Sequence, residues 1–251
     1  MKIADAVKKT SPFSLRGRIL RMPLWLVPRS AVVRVLTGVN RGRRWIVGAS
    51  STNSSWIGTY EQDHSNVLSQ LVKPGMTAYD LGANVGFYSL ALARLVGAEG
   101  RVFCFEPEAR NMMILRRHIA LNAVSNATLV QAAISDGAEL VGFEGGNEEG
   151  HIGSGCNYLI PSLTLDEFIA RGNPSPGFVK LDIEGAEAQA LAGAQTLLNR
   201  RKTTWMIATH SPELRVRCAQ IFSELGYRLT GFDCVSEPGD AADFLSFPPE
   251  S

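Results

Sequence analysis

The sequence predicts a doubly wound α/β fold: one mostly parallel sheet of seven strands, helices on both faces, and an N-terminal extension. Three observations predict it. Met76–Gly86 (MTAYDLGANVG) reads as an apolar strand, a glycine turn and the start of a helix. Arg101–Phe105 is a second strand and ends in Glu106-Pro107. Beyond it, short apolar runs alternate with helical patterns as far as the final residues.

Taken in order, residues 1–10 begin a short helix, and Pro12, Pro23 and Pro28 break any longer one. Ser30–Leu36 reads as a helix turn or short strand, Gly38–Arg44 as a turn and Trp45–Ala49 as a strand. A polar loop, Ser50–Ser55, precedes Trp56–Glu61. Val67–Val72 is a helix ended by Pro74-Gly75, which feeds the strand Met76–Leu81. Phe87 onward is helical, and Met112, Met113, Leu115, Ile119 and Leu121 give residues 109–121 an apolar helical face. Ala127–Ala132 is the third strand, and Leu140–Phe143 one arm of a hairpin. Gly145–Gly155 is polar and glycine-rich, as mobile substrate loops are. Ser162–Ile169 has a cap residue and then a short helical pattern. Phe178–Ile183 and Thr203–Thr209 are strands four and five, separated by an alanine-rich helix over Ala186–Leu198. Glu213–Leu225 is a helix ended by Gly226, and Tyr227–Gly231 with Phe244–Phe247 closes the sheet as an antiparallel pair.

In such a sheet ligands sit at the carboxyl ends of the strands. Asp80, Glu106, Asp136, Asp182 and His210 all fall at that edge. Gly82 permits a tight turn and close backbone approach. Asn84 replaces the alternate glycine of the dinucleotide pattern, and Asp80 suits an amino group better than a pyrophosphate. Glu106, one βαβ step on, suits the two hydroxyls of a ribose. The plainer reading is an empty fold in which Asp80 and Glu106 cap loops.

The composition, 45% hydrophobic and 20% charged over 251 residues, is that of a globular chain with room for one large domain and an extension. Four scattered cysteines without a CxxC pair suggest no disulfide framework and a reducing, cytoplasmic setting. The net charge of +1 hides an asymmetry. Residues 1–48 hold eleven basic residues and one acid, leaving fourteen basic and twenty-three acidic residues for the rest. We expect residues 1–55 to form a basic cap or arm and residues 56–251 the ligand-binding domain. The basic and apolar mixture over residues 12–44 also suits peripheral contact with an anionic membrane, or a homo-oligomer contact. No basic and aromatic pattern recurs downstream, so nucleic acid is not an expected partner.

From Gly58 to Gly231 the chain resembles the FkbM-type family of S-adenosylmethionine-dependent methyltransferases. The marks are Gly58-Thr59-Tyr60-Glu61, Asp80–Gly86, Phe105-Glu106-Pro107, Ser135-Asp136, Thr164-Leu165-Asp166 and, most diagnostic, Val179–Glu187 (VKLDIEGAE). The resemblance implies a Rossmann-like, class I methyltransferase sheet, S-adenosyl-L-methionine as cofactor, and a hydroxyl acceptor on a sugar, polyketide or other natural product. It implies that Asp80, Gly82, Asn84, Gly86 and Glu106 hold the cofactor and that Asp136 receives its adenine amine. Tyr60 and Glu61 are expected to fold over the methionine end. The acidic residue often found beside the strand-five histidine in this family is missing from Ala208-Thr209-His210.

Transfer to a hydroxyl needs an aligned nucleophile and a base within hydrogen-bond reach. Asp182 and Glu184 straddle Ile183, and persisting strand alternation would send both to one side. His210 is the preferred base because histidine titrates near neutrality; a structural or helix-capping histidine is the plain alternative. Lys180 is expected to pair with a carboxylate. The three residues Asp182, Glu184 and His210 have the ligand types for a divalent ion, but their spacing matches no recognised motif and no metal is assigned. His118 reads as structural, His64 as lacking partners at useful spacing, and His151 as a loop residue able to meet substrate. The competing classes are a nicotinamide-dependent oxidoreductase, disfavoured by Asn84 and Asp80, and a non-catalytic nucleoside-binding protein. A base methyltransferase is disfavoured by Asp182-Ile183-Glu184-Gly185 after strand four.

Overall fold

The computed structural model describes residues 26–145, 151–152, 158–239 and 242–249. The N-terminal part is a hairpin, β1 (Val32–Arg34) with β2 (Arg44–Ile46), then α1 (Ser54–Ile57) and α2 (Gln62–Leu71). Two βαβ steps follow: β3 (Thr77–Leu81), α3 (Phe87–Leu95), β4 (Arg101–Phe105), α4 (Ala109–Leu121) and β5 (Ala127–Val130). Next come β6 (Ala133–Ile134), β7 (Leu140–Glu144), β8 (His151–Ile152), β9 (Tyr158–Leu163) and α5 (Leu165–Ala170). The chain then returns through β10 (Phe178–Leu181), α6 (Glu187–Ala192), α7 (Gln195–Asn199), β11 (Thr204–Ala208) and α8 (Pro212–Glu224). It ends in β12 (Arg228–Thr230) and β13 (Asp243–Phe247).

The main sheet has seven strands in the order β12-β13-β11-β10-β3-β4-β5. The five strands β11, β10, β3, β4 and β5 pair in parallel, and β13 runs antiparallel to β11 and β12. This is the expected Rossmann-like, class I methyltransferase architecture. Its strand order reverses between β3 and β10, and such a switch point opens a crevice at the carboxyl ends.

Period-2 alternation splits the apolar side chains between two cores. Ala78, Val102, Cys104, Phe178 and Met206 face α2, α3 and α4. Tyr79, Leu81, Phe103, Phe105, Val179, Leu181, Trp205 and Ile207 face α5 to α8. Each large buried side chain contributes roughly 1.5–3 kcal/mol, so the two layers hold the sheet rigid beneath the crevice.

The hairpin is bolted onto α4. His118 Nδ1 donates to Val85 O (2.7 Å), its Nε2 accepts from Ile46 N (3.0 Å), and its ring stacks on Trp45. Burial holds this imidazole down at about 4, so it stays neutral and can accept. Asn122 pairs with both backbone groups of Arg44. His118 is thus structural.

Several expectations change. The strand read over Trp45–Ala49 spans Arg44–Ile46, and the cap of α5 is Thr164, since Ser162 lies in β9. The helix expected from Val67 begins at Gln62, because its polar first turn carries no apolar signal. The third strand stops at Val130 rather than Ala132, and Ala133–Ile134 pairs with β9 instead. That pairing belongs to a second sheet, β6-β9-β7-β8, of which the sequence predicts only the β7 arm. The single helix over Ala186–Leu198 is two helices. A Cβ on Gly193 would lie 2.2 Å from Ser135 O, so a crossing chain occupies the break, and the Asp166 carboxylate caps α7 by accepting from Thr196 N and Leu197 N.

Residues 1–25, Cys156 and most of the expected mobile loop lie outside the described residues, as does the side chain of His151. Among the described residues no helix is long and apolar enough to cross a membrane.

Candidate active site

A cavity opens at the switch point. Its floor is the glycine turn after β3, Gly82 to Val85. Gly82 has φ 78°, and a Cβ there would sit 1.8 Å from Asp182 O. The glycine is therefore demanded by the chain crossing from β10, before any ligand is considered. Gly86 also has positive φ, and a Cβ there would meet the Leu115 side chain at 2.5 Å. Asn84 is left-handed at φ 49°, and its side-chain oxygen accepts from Val85 N.

At one end of the cavity stands Glu106, 5% exposed. Its Oε2 accepts from Asn84 N (2.7 Å) and its Oε1 from Glu108 N (2.9 Å). Burial pushes this carboxyl up to about 7, against those two backbone donors. Phe105, Ala132, Ala133, Ile134, Phe143 and Ile152 make the apolar wall beside it. Ala133, Ile134, Phe143 and Ile152 come from the second sheet, and Trp45 with Ser50, Ser51, Thr52 and Ser55 adds a wall from the N-terminal part.

The other end is charged. Lys180 Nζ lies 3.0 Å from Asp182 Oδ2, 3.8 Å from Asp80 Oδ1 and 3.0 Å from Gly82 O. Burial alone would discharge this lysine, but Asp182 and Asp80 outweigh it and raise its pKa. β10 ends at Leu181, and Glu184 and Gly185 are both left-handed. Strand alternation therefore does not reach Glu184. A tight turn brings the carboxylates together instead: His210 Nε2 is 3.5 Å from Asp182 Oδ1 and 3.1 Å from Glu184 Oε2. His210 Nδ1 is 3.0 Å from Glu187 Oε1. The acidic partner that the sequence beside His210 lacks thus comes from α6.

A scan of family models matches the Methyltransferase FkbM domain to residues 80–229, more than half of the chain. The chain belongs to the FkbM methyltransferase domain family. No curated protein matches it. Among solved structures, the fold is similar to methyltransferase FkbM from Methylobacillus flagellatus KT, with TM-score 0.50 and 19% identity over 80% of this chain. This chain spans 56% of that protein's length. Precorrin-6y C5,15-methyltransferase from Geobacter metallireducens GS-15 has TM-score 0.46 and 15% identity, over 68% of this chain and 74% of that one. Aeropyrum pernix fibrillarin, solved with natively bound S-adenosyl-L-methionine, has TM-score 0.44 and 13% identity over 71% and 68%.

The residues of this FkbM domain fit S-adenosylmethionine. Each Glu106 oxygen accepts one backbone N–H and Asn111 adds a side-chain hydrogen bond, so the carboxylate, with about four acceptor sites, keeps capacity for a ribose hydroxyl. The apolar wall beside it accepts a flat base.

Not every expected residue reaches the cavity. Asp80 is fully buried beneath it, accepting from Ser89 Oγ (2.6 Å) and facing Lys180. Its burial raises its pKa. Asp80 does not line the cavity and, with Asp182, balances the charge of Lys180. Tyr60 lines the cavity, edge-on to Phe87, whereas Glu61 stands behind it and accepts from the Tyr88 hydroxyl. Asp136 is exposed, hydrogen-bonded by Ser135 Oγ, and is not part of the cavity lining. His210 is not the helix cap, since Ser211 caps α8. The premise that His210 titrates near neutrality is also corrected. The Glu187 hydrogen bond raises it to about 9, against partial desolvation and helped by Glu184 and Asp182. His64, expected without partners, meets Asp243 at 2.8 Å across the fold. Glu187, fully buried, is the residue that sequence reasoning missed. Its signal was its place in the VKLDIEGAE stretch.

Proposed function

We propose that this chain is an S-adenosylmethionine-dependent O-methyltransferase whose acceptor is a hydroxyl on a sugar, polyketide or other small natural product. One observation carries the reading: Asp182 and Glu184 line the charged end of the cavity whose other end is Glu106, and His210, outside that lining, stands against both carboxylates. The bound donor supplies a methyl carbon activated by a positively charged sulfur. Glu106 holds a ribose hydroxyl, the turn from Gly82 to Gly86 seats the donor over the sheet, and Asn84 with Tyr60 borders its methionine end. Glu61 steadies that wall through Tyr88. Asp136 meets the adenine amine.

Asp182 and Glu184 flank His210 Nε2 and border the acceptor, while Lys180 balances the charge of Asp182. His210 Nε2 takes the hydroxyl proton as the oxygen–carbon bond forms. A base held at about 9 is mostly protonated at neutrality, so turnover rises with pH and levels off near 9.

The test is a screen of hydroxylated sugars and secondary metabolites for a mass gain of one methyl group. A product methylated on oxygen, with turnover rising toward pH 9, supports the reading. Transfer to nitrogen, or the absence of S-adenosylhomocysteine binding by calorimetry, overturns it.

A further inference from the structure

We propose that Glu187 is the positioning residue of the acid–base edge: through one carboxylate oxygen it fixes both the acidic turn and the tautomer of His210. The inference rests on the transfer reading above. Glu187 is fully buried in the first turn of α6. Its Oε1 accepts from Ile183 N (3.1 Å) and Gly185 N (3.2 Å), the two amides flanking Glu184. The same atom lies 3.0 Å from His210 Nδ1. One oxygen thus gathers the turn that displays Asp182 and Glu184 and the ring that faces them.

The physical consequence concerns protons. A carboxylate oxygen accepts, so Nδ1 must carry the hydrogen. The other nitrogen, Nε2, is left to exchange its proton at the cavity, between Asp182 and Glu184. Without Glu187 the partly exposed carboxylates of Asp182 and Glu184 would hold the hydrogen on Nε2 instead; the shorter contact to the fully buried Glu187 keeps it on Nδ1. The dependence runs both ways. Glu187 Oε2 has no hydrogen-bond partner among the described residues. The buried charge is therefore compensated at Oε1 alone, by two amides and the imidazole. That arrangement stabilises the cationic ring and makes Nε2 the stronger proton acceptor.

The first measurement uses the unaltered protein. Nitrogen-15 shifts of labelled histidine, followed through the titration of His210, should show the neutral ring carrying its proton on Nδ1. A neutral ring protonated on Nε2 overturns the proposal, whatever happens to any variant. The second is a double-mutant cycle with an identified hydroxyl acceptor. Glu187→Gln should lower turnover by up to about 10²-fold, the scale of a misplaced reacting group, with cofactor affinity unchanged. The rising limb of its pH profile should move to lower pH, because the charge that raises the imidazole has gone. In a His210→Ala background the same substitution should change turnover less than about twofold, since residues acting as one unit are not additive. Full additivity in the double variant would show Glu187 to be merely structural. His210→Ala with full turnover would instead overturn the base assignment, and the two failures are distinct.

Discussion

The two ends of the cavity are built in opposite ways. At the Glu106 end, the carboxylate is held by backbone amides from its own turn and from the neighbouring glycine turn. The partners are two and twenty-two residues away, and both belong to one βαβ step. At the His210 end, charged side chains from β10, α6 and the end of β11 hold one another. The first arrangement is one carboxylate held by backbone amides that cannot titrate, so its charge answers chiefly to burial. The second is a network in which each member's charge depends on the others, which suits proton transfer.

The comparison predicts separable losses. The largest expected effect is at the charged end. His210→Ala should lower turnover by roughly 10² or more, the usual scale for a lost general base, while cofactor affinity stays within about threefold. Steady-state rates with calorimetric titration of S-adenosylhomocysteine check both halves. A variant that lost affinity and turnover together would show the two ends to be one unit.

A smaller loss is expected at the other end. Glu106→Ala removes a hydrogen bond to a charged group, worth about 1.5–3 kcal/mol, so affinity should fall roughly tenfold to a hundredfold. Unaltered affinity would mean that the ribose is held elsewhere.

The smallest effect is the pH dependence of binding. Burial raises the Glu106 carboxyl to about 7, and a hydroxyl donor favours its ionised form. Protonation therefore competes with the cofactor as pH falls through that value. Affinity should weaken about threefold between pH 7.5 and 6.5 by linkage, and Glu106→Gln should abolish this dependence. An equally steep profile in the variant would assign the titration to another group.

The hairpin packed on α4 allows one further contrast, in stability rather than function. His118 is held at about 4, below its ordinary value near 6.5. The unfolded chain thus binds the proton more readily, and stability falls as pH drops through that window. Between pH 6.5 and 5 the loss should be about 2 kcal/mol, measured by urea titration, and absent in a His118→Gln variant that folds.

The sequence by itself determined the sheet. Alternation in β3, β4, β10 and β11 and the apolar face of α4 are local patterns, and the structure places those elements within two residues of expectation. Glu106 was legible for the same reason, because its position relative to the glycine turn is set within one βαβ step. Tertiary structure alone decided the rest. Asp80 reads as a ligand at a strand tip, yet β10 pairs beside it and brings Lys180 over its carboxylate. His210 reads as a near-neutral base, yet α6 delivers a buried carboxylate that raises it. The second sheet needs pairing of β6, β7, β8 and β9, whose short strands carry little periodic signal. Periodicity is written along the chain. A side chain's charge state and access to solvent are set by neighbours that folding brings from elsewhere.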